Sequence, residues 1–561
     1  FGGLVDGGEG LSINSTGTTT FGGAVGSVVP LTSLTTDAGG TTMLGGDVTT
    51  TGNQNFGDQV ILTTDTTLIA GAGAINASAG VSGAGQNLTV GDANQAGAVT
   101  LDGGITLGSL TTGAGDFDVT VTALNPDKTT VTGVSEFLNN GTVSLLADGQ
   151  FQSFEGGLNA SVAQAVRVAG GVATTNAPLS LNNVTAVADV AKISTTGGQD
   201  VAKPGSTLTI NGLDLNGATV TTYGGTTGET VLTGAVNLSA GTLSVAVGDL
   251  ALGSGGTGAT LTATDTETIA VAANYEISLA ANTTLSAVGK TVNFKADNFT
   301  IQSAANSLSA ACLTFSTPTA GRSFGLGTAT TADITLNQAA FDSFNASRVE
   351  IGQSGSSGNI NMGALTLDGP RLDLWANGGG SVAISGAYDG TTSESVSLYV
   401  HGSDNGTEIA ANITSNSAVV IADSVEITAD VTIDTTSGNA SITLLGGMPG
   451  GTAAGIYADS GFPSGRELVI LAGTGTVYLG GDDANGNLAG FTDNGGSAAQ
   501  VNTIDITAGE TRLYGTSNEF DFDWYINGPM TLANPNNVDI LITGGSFIMS
   551  GTIDSAANTT N

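Results

Sequence analysis

A repeat of twenty-odd residues constrains this chain more than anything else in it. Phe1-Gly2-Gly3-Leu4-Val5 returns as Phe21-Gly22-Gly23-Ala24-Val25 and again as Leu44-Gly45-Gly46-Asp47-Val48, so successive copies start 20 and 23 residues apart. The last two copies align further upstream. Leu11 matches Leu34, Asn14 matches Asp37, Gly17 matches Gly40, and Thr18-Thr19 matches Thr41-Thr42. Inside each copy the alternation has period two: Leu11 and Ile13 belong to one face, Ser12 and Asn14 to the other. The same pattern recurs at Leu208 and Ile210, at Val236 and Leu238, and at Leu243, Val245 and Val247. Short alternating runs that end in Gly, Asn or Asp read as half-buried strands between turns. No long stretch has helical period, and 159–168 is read as strand.

Short strands at steady spacing leave two architectures. A sandwich repeats about every 100 residues, with aromatic anchors in each unit. A solenoid repeats once per coil, at roughly 20–25 residues. The spacing therefore predicts an all-β chain folded as an elongated parallel β-helix, a β-solenoid of about 20–25 residues per coil. No coil can bury its own apolar face, so stacking alone makes the core. At about 22 residues per coil, roughly 25 coils would extend on the order of 120 Å. The clear repeats fill 1–140, a less regular solenoid covers 141–320, and 321–561 continues it, with a capping region near 515–561.

Composition agrees with a thin core. Hydrophobic residues are 40% of the 561, but aromatics are only 5%, so Ala, Val, Leu and Ile must fill the interior. Lys and Arg total 11 against 48 Asp and Glu, a net charge of −37, and no basic residue precedes Lys128. Nucleic acid and anionic membrane surfaces would repel such a chain. Hard divalent cations, calcium above all, suit it better. The single cysteine, Cys312, excludes an intrachain disulfide and reads as a small buried residue. No apolar run is long enough for a membrane-spanning helix. Phe1 falls inside a repeat with no signal segment before it, as expected of a piece cut from a longer precursor.

Two sets of strings carry a family resemblance. The first is Gly-Leu-Ser-Ile-Asn (10–14), Thr-Thr-Thr-Phe-Gly-Gly-Ala-Val-Gly (18–26), Pro-Leu-Thr-Ser-Leu-Thr-Thr-Asp-Ala-Gly-Gly-Thr-Thr (30–42) and Val-Thr-Thr-Thr-Gly-Asn-Gln (48–54). The second is Phe-Gly-Leu-Gly-Thr (324–328), Ile-Thr-Leu (334–336), Arg-Val-Glu-Ile-Gly (348–352) and Gly-Asn-Ile-Asn-Met-Gly-Ala-Leu-Thr-Leu (358–367). Both resemble repeats of filamentous haemagglutinin-like large exoproteins of bacteria, and together they cover about a fifth of the chain. The resemblance implies a right-handed parallel β-helix, secretion to the exterior or surface of a Gram-negative-type cell, and adhesive or matrix roles. It brings over no catalytic residues. Asn534-Pro535-Asn536 echoes a motif of that family's secretion domain, but at the wrong end of the chain, and reads as a turn.

The residues offer few sites for chemistry. Glycoside cleavage needs two carboxylates facing one cleft. Glu519, Asp521 and Asp523 share one face of a strand, with Phe520, Phe522 and Trp524 on the other. They form a candidate ligand site, or the solvated side of an aromatic core stripe. Asp482, Asp483, Asn485 and Asn487 make an oxygen-rich loop, and Asp116 and Asp118 flank a turn; these are the candidate calcium ligands, against a plain turn in which the side chains bond their own backbone. His401 is the only histidine, which excludes a multi-histidine metal site, and it reads as part of a surface loop 401–406.

The sequence thus points to a non-enzymatic secreted or cell-surface scaffold, with no cofactor required. Its partners are cell-surface glycans and proteins, or further copies of itself joined head to tail or laterally. A self-assembling subunit of a filament, sheath or surface layer is the main alternative. A carbohydrate-binding or carbohydrate-cleaving β-helix is the lesser one.

Overall fold

In a computed structural model of the chain, residues that match across the repeat lie side by side. The structure describes all residues except 125, 127, 392–396, 402–405, 445–455, 459–465, 483–487, 490–500, 515–516, 521–522, 534–538, 543–544 and 556–561. Gly10–Ile13 pairs in parallel with Ser33–Thr36, which puts Leu11 beside Leu34. Thr18–Phe21 pairs with Thr41–Leu44, which puts Thr18 and Thr19 beside Thr41 and Thr42. Val5, Val25 and Val48 bridge in turn, and the Phe1 ring stacks on Phe21 with centroids 5.3 Å apart. Gly17 and Gly40 repeat because the coils touch there: a Cβ on Gly40 would strike the Gly17 carbonyl oxygen.

The chain is a β-solenoid of parallel stacked coils, 55% strand, with about 21 turns. The reading of 159–168 as strand is borne out at its two ends, in Leu158–Ala160 and Ala165–Ala173, with a bend over 161–164 between them. There are fewer turns than the roughly 25 expected, because some coils make excursions. Cross-coil hydrogen bonds join residues only 16 apart at Thr42 and Asp58, but 36 apart at Thr314 and Glu350 and 35 at Asn439 and Thr474. The excursion between Leu308 and Phe344 holds a five-residue helix, Gln338–Asp342, started by Asn337, whose side chain accepts the Ala340 N–H.

Two units are distinguished by their internal contacts, Phe1–Ser286 and Ala287–Asn561. In the first, the inward rows are apolar: Leu34, Leu44, Phe56, Leu62, Leu88 and Leu101 are at most 2% exposed. Burying one such side chain contributes roughly 1.5–3 kcal/mol. The coils pass residue 140 without a break, since Val119–Ala123 pairs with the start of Thr142–Phe154. That strand and Leu179–Ser194 are the longest in the unit, at 13 and 16 residues, because they continue round a corner where the register shifts. Polar side chains that do point inward serve the corners. Gln54 donates to the Val48 and Ile69 carbonyls, and Gln95 bridges the Ala70 N–H and the Gly73 carbonyl.

Many acidic residues also have a structural task. The carboxylates of Asp6, Asp47, Asp65 and Asp249 each accept a backbone N–H from the following coil, at Val28, Thr67, Asn87 and Glu276. Asp58, buried, reaches back to the Gly40 N–H and the Thr42 hydroxyl. A charged acceptor makes a stronger bond to a peptide N–H than a neutral one does. In the second unit Asn359, Asn412 and Asp523 do the same for Ser381, Thr432 and Ser546.

Leu34→Ala should cost about 2–5 kcal/mol, because its row is closed on both sides by neighbouring coils. Thr35→Ala, one position along and outward, should stay within about 0.5 kcal/mol. Thermal unfolding followed by circular dichroism separates the two.

Candidate functional site

The second unit carries a dense set of outward charged and aromatic side chains centred on one buried carboxylate. Four strands build it: Leu308–Ser316, Phe344–Gly352, Arg371–Trp375 and Leu398–His401, stacked in parallel. Their inward rows are Leu313, Val349, Leu372 and Leu398, and Phe315, Ile351, Leu374 and Val400, none more than 1% exposed. Alternation then sends three rows outward. These are Cys312, Arg348 and Arg371; Thr314, Glu350, Asp373 and Tyr399; and Gly352, Trp375 and His401. The only cysteine, the only histidine, one of two tryptophans and two of the eleven basic residues therefore meet on one wall.

Asp373 is the centre. It faces outward yet is fully buried, because Arg348, Arg371 and His401 close over it. Arg371 donates to its Oδ1 through Nη2 at 2.6 Å and Nε at 3.1 Å, and His401 Nε2 lies 2.9 Å from the same oxygen. Its Oδ2 has Arg348 Nε at 3.9 Å and no hydrogen bond. Burial pushes the carboxyl upward, but the hydrogen bonds from His401 and Arg371 more than offset this and hold it below the usual aspartate range.

The flanking groups are fixed as well. Arg348 pairs with Glu350 at 2.9 Å and donates to Cys312 Sγ at 3.4 Å, while Glu350 accepts the Thr314 hydroxyl. The Arg371 guanidinium lies 3.5 Å over the Tyr399 ring. Trp375 and His401 stack with centroids 3.5 Å apart and planes 4° from parallel. The arrangement holds planar groups rigidly at a half-exposed surface, which suits recognition. It does not suit nucleophilic attack: burial pushes the Cys312 thiol upward, against the opposing Arg348 hydrogen bond.

The sites singled out in the sequence fall elsewhere. Asp116 and Asp118 are exposed at a turn of the first unit. They bond the next coil, Asp116 through the Asn140 amide and Asp118 through the Thr142 N–H. Asp523 is half-buried and accepts the Ser546 N–H, while Trp524, its neighbour, is 1% exposed in the interior. Asp482 and Glu519 lie in the short strands Gly481–Asp482 and Ser517–Phe520. Asp483, Asn485, Asn487 and Asp521 lie outside the described residues, as does 534–536. Among the described residues, no three of His, Cys, Asp and Glu gather as a metal would require. His401 closes a strand rather than opening a loop, and Cys312 is buried on the outer side of the wall, under Arg348. The sequence carries a signal for this patch that a search for catalytic motifs passes over: Arg348-Val-Glu-Ile-Gly and Arg371-Leu-Asp-Leu-Trp repeat one pattern a coil apart.

Two shallow surface grooves are also present. One, of about 550 Å³, is lined by Ser144, Leu146, Asp148, Arg167 and Val187; the other, of about 490 Å³, by Val288, Ser309, Asn345 and Ser347. Neither brings two carboxylates together. No family model, no curated protein and no solved structure matches the chain.

Arg371→Ala should cost about 1–3 kcal/mol, less than for a fully buried pair because Arg371 is one-third exposed. The depressed carboxyl of Asp373 contributes stability that is fully present above the ordinary aspartate value of about 3.9. That contribution is lost as pH falls through the lower folded value. The protection of 371–391 and 397–401 against hydrogen exchange, taken relative to the intrinsic rate at each pH, should therefore fall in acid in the wild type, and Asp373→Asn should flatten that pH dependence.

Proposed function

We propose that this chain is a non-enzymatic, secreted or cell-surface scaffold of the filamentous haemagglutinin-like kind, acting as an adhesin or in an extracellular fibre. The observation that carries the reading is the wall of parallel coils itself. Its outward residues are mostly small and polar, and the cluster of aromatic and charged groups around Asp373 is held in place by mutual hydrogen bonds and stacking. Such a wall displays a surface; it does not enclose a substrate. The absence of disulfides fits, since backbone pairing between coils supplies the rigidity. The partners in this reading are cell-surface glycans and proteins.

Calcium is not needed to hold the coils in this reading, because Asp116 and Asp118 already bond the following coil. Any bound calcium would use the remaining carboxylate oxygens and tighten the turn. Thermal melts with and without a chelator are expected to coincide, and a lower melting temperature in the chelator would make calcium a structural ligand.

Electron microscopy of the purified chain, paired with binding to intact cells, tests the main reading. Separate particles that bind cells are expected. Ordered polymers that bind nothing would favour a subunit of a filament, sheath or surface layer. Turnover of a polysaccharide would overturn the non-enzymatic assignment.

A further inference from the structure

We propose that a groove in the first unit holds the free carboxylate of a peptide chain end whose last side chain is aliphatic. The proposal goes beyond the scaffold reading and does not require it. The groove comes from a corner that one coil takes short. Against Gly170 of Ala165–Ala173, the coil before sets four residues, 147–150; against Ala169, the coil after sets four, 187–190. Asp148, Gly149 and Gln150 are exposed on the first excursion, and Ala188, Asp189 and Val190 on the second. The short corner is fixed: Gly170 has a φ of +71°, and a Cβ on it would strike the Ala147 carbonyl oxygen. Arg167 and Ala169 line the groove from the short coil, Leu146 and Asp148 from the coil before, and Val187 from the coil after.

Arg167 is the group that asks for a ligand. Alternation sends it outward, since Val166 and Val168 on either side are fully buried. Arg322, Arg348, Arg371 and Arg512 each pair with a carboxylate, and Arg466 has a partner too. Of the six arginines, Arg167 alone has none among the described residues, in a chain with 48 acidic residues. No ion pair joins it even to Asp148, which lines the same groove. A guanidinium offers a planar fork of N–H donors that fits a carboxylate through two hydrogen bonds. Ser144 and Thr120 continue the outward row from Arg167 with half-buried hydroxyls, and both line the groove.

The remaining lining selects the body of the ligand. Leu124, 53% exposed, stands with Leu146 and Val187, and no aromatic ring is among the lining residues. A sugar ring finds no aromatic plane here for its C–H face, whereas an aliphatic side chain finds matching surface to bury. Asp148 accepts hydrogen bonds and cannot donate them, which suits the amide N–H of a peptide. It also repels a second negative charge, as does the chain at −37, so a single carboxylate is favoured over a phosphate or a sulfate-bearing chain.

The test is a fluorescence-anisotropy titration of the full chain with a rhodamine-labelled peptide ending in leucine, with its C-terminal amide, and with the same peptide ending in glycine. At roughly 0.15 M salt the acid form should bind saturably, about tenfold tighter than the amide. Arg167→Gln should remove that preference, and Arg167→Lys should keep part of it. Leu146→Ser should weaken the leucine peptide about fivefold and the glycine peptide little. Both positions face outward, and circular dichroism checks that the fold is intact. Equal binding of acid and amide, binding of neither, or undiminished binding in Arg167→Gln would each overturn the proposal. Displacement of the peptide by an equal concentration of galacturonate would make an acidic sugar the occupant and overturn it as well.

Discussion

Parallel hydrogen bonding between successive coils is the constraint on which the rest of this structure depends. Strand peptides bond to the coil before and the coil after, so a strand residue's neighbours across the ladder lie about twenty positions away in sequence, or about thirty-five where a coil makes an excursion. Like residues then line up in rows. Inward rows such as Leu313, Val349, Leu372, Leu398 and Val419 form a narrow apolar seam that needs few large rings. Outward rows pair polar side chains, as when Asn76 donates to Asn55, or Asn237 to Asp214. The low aromatic content follows from the narrowness of the seam.

The same constraint changes what the acidic composition means. A coil corner leaves peptide N–H groups that the strand ladder does not reach, and an Asp one coil away is well placed to accept them. Asp47 serves Thr67 and Asp65 serves Asn87 in this way. A basic side chain could not take that place, because Lys and Arg have no acceptor. Part of the charge imbalance is thus a by-product of corner geometry, and the remainder keeps the coils soluble.

These roles explain what could be read in advance. The register of the first coils was legible to the residue: Leu11 beside Leu34 and Thr18 beside Thr41 are sequence matches that became backbone pairs. Period-two alternation sufficed because one face of each strand is buried, and a slip of one residue would turn every apolar side chain outward. Turn number was less legible, since an excursion such as that between Leu308 and Phe344 adds residues without adding a coil. The site was hidden for a different reason. Glu519, Asp521 and Asp523 drew attention because they crowd together in sequence. Arg348, Asp373 and His401 lie in three separate coils, and only the register, carried past each intervening turn, brings them into contact.

That register also bears on the kind of chemistry such a wall can support. Side chains in adjacent coils leave the sheet one coil spacing apart, so only long ones such as Arg348, Arg371 and His401 can bend to meet at one carboxylate. The outer face of Arg371–Trp375 satisfies its buried carboxylate with lateral neighbours, His401 from one coil and Arg348 from another. The cluster is therefore a product of register: three successive coils each bring a side chain to one buried carboxylate, and none of the three contacts is local in sequence except that of Arg371.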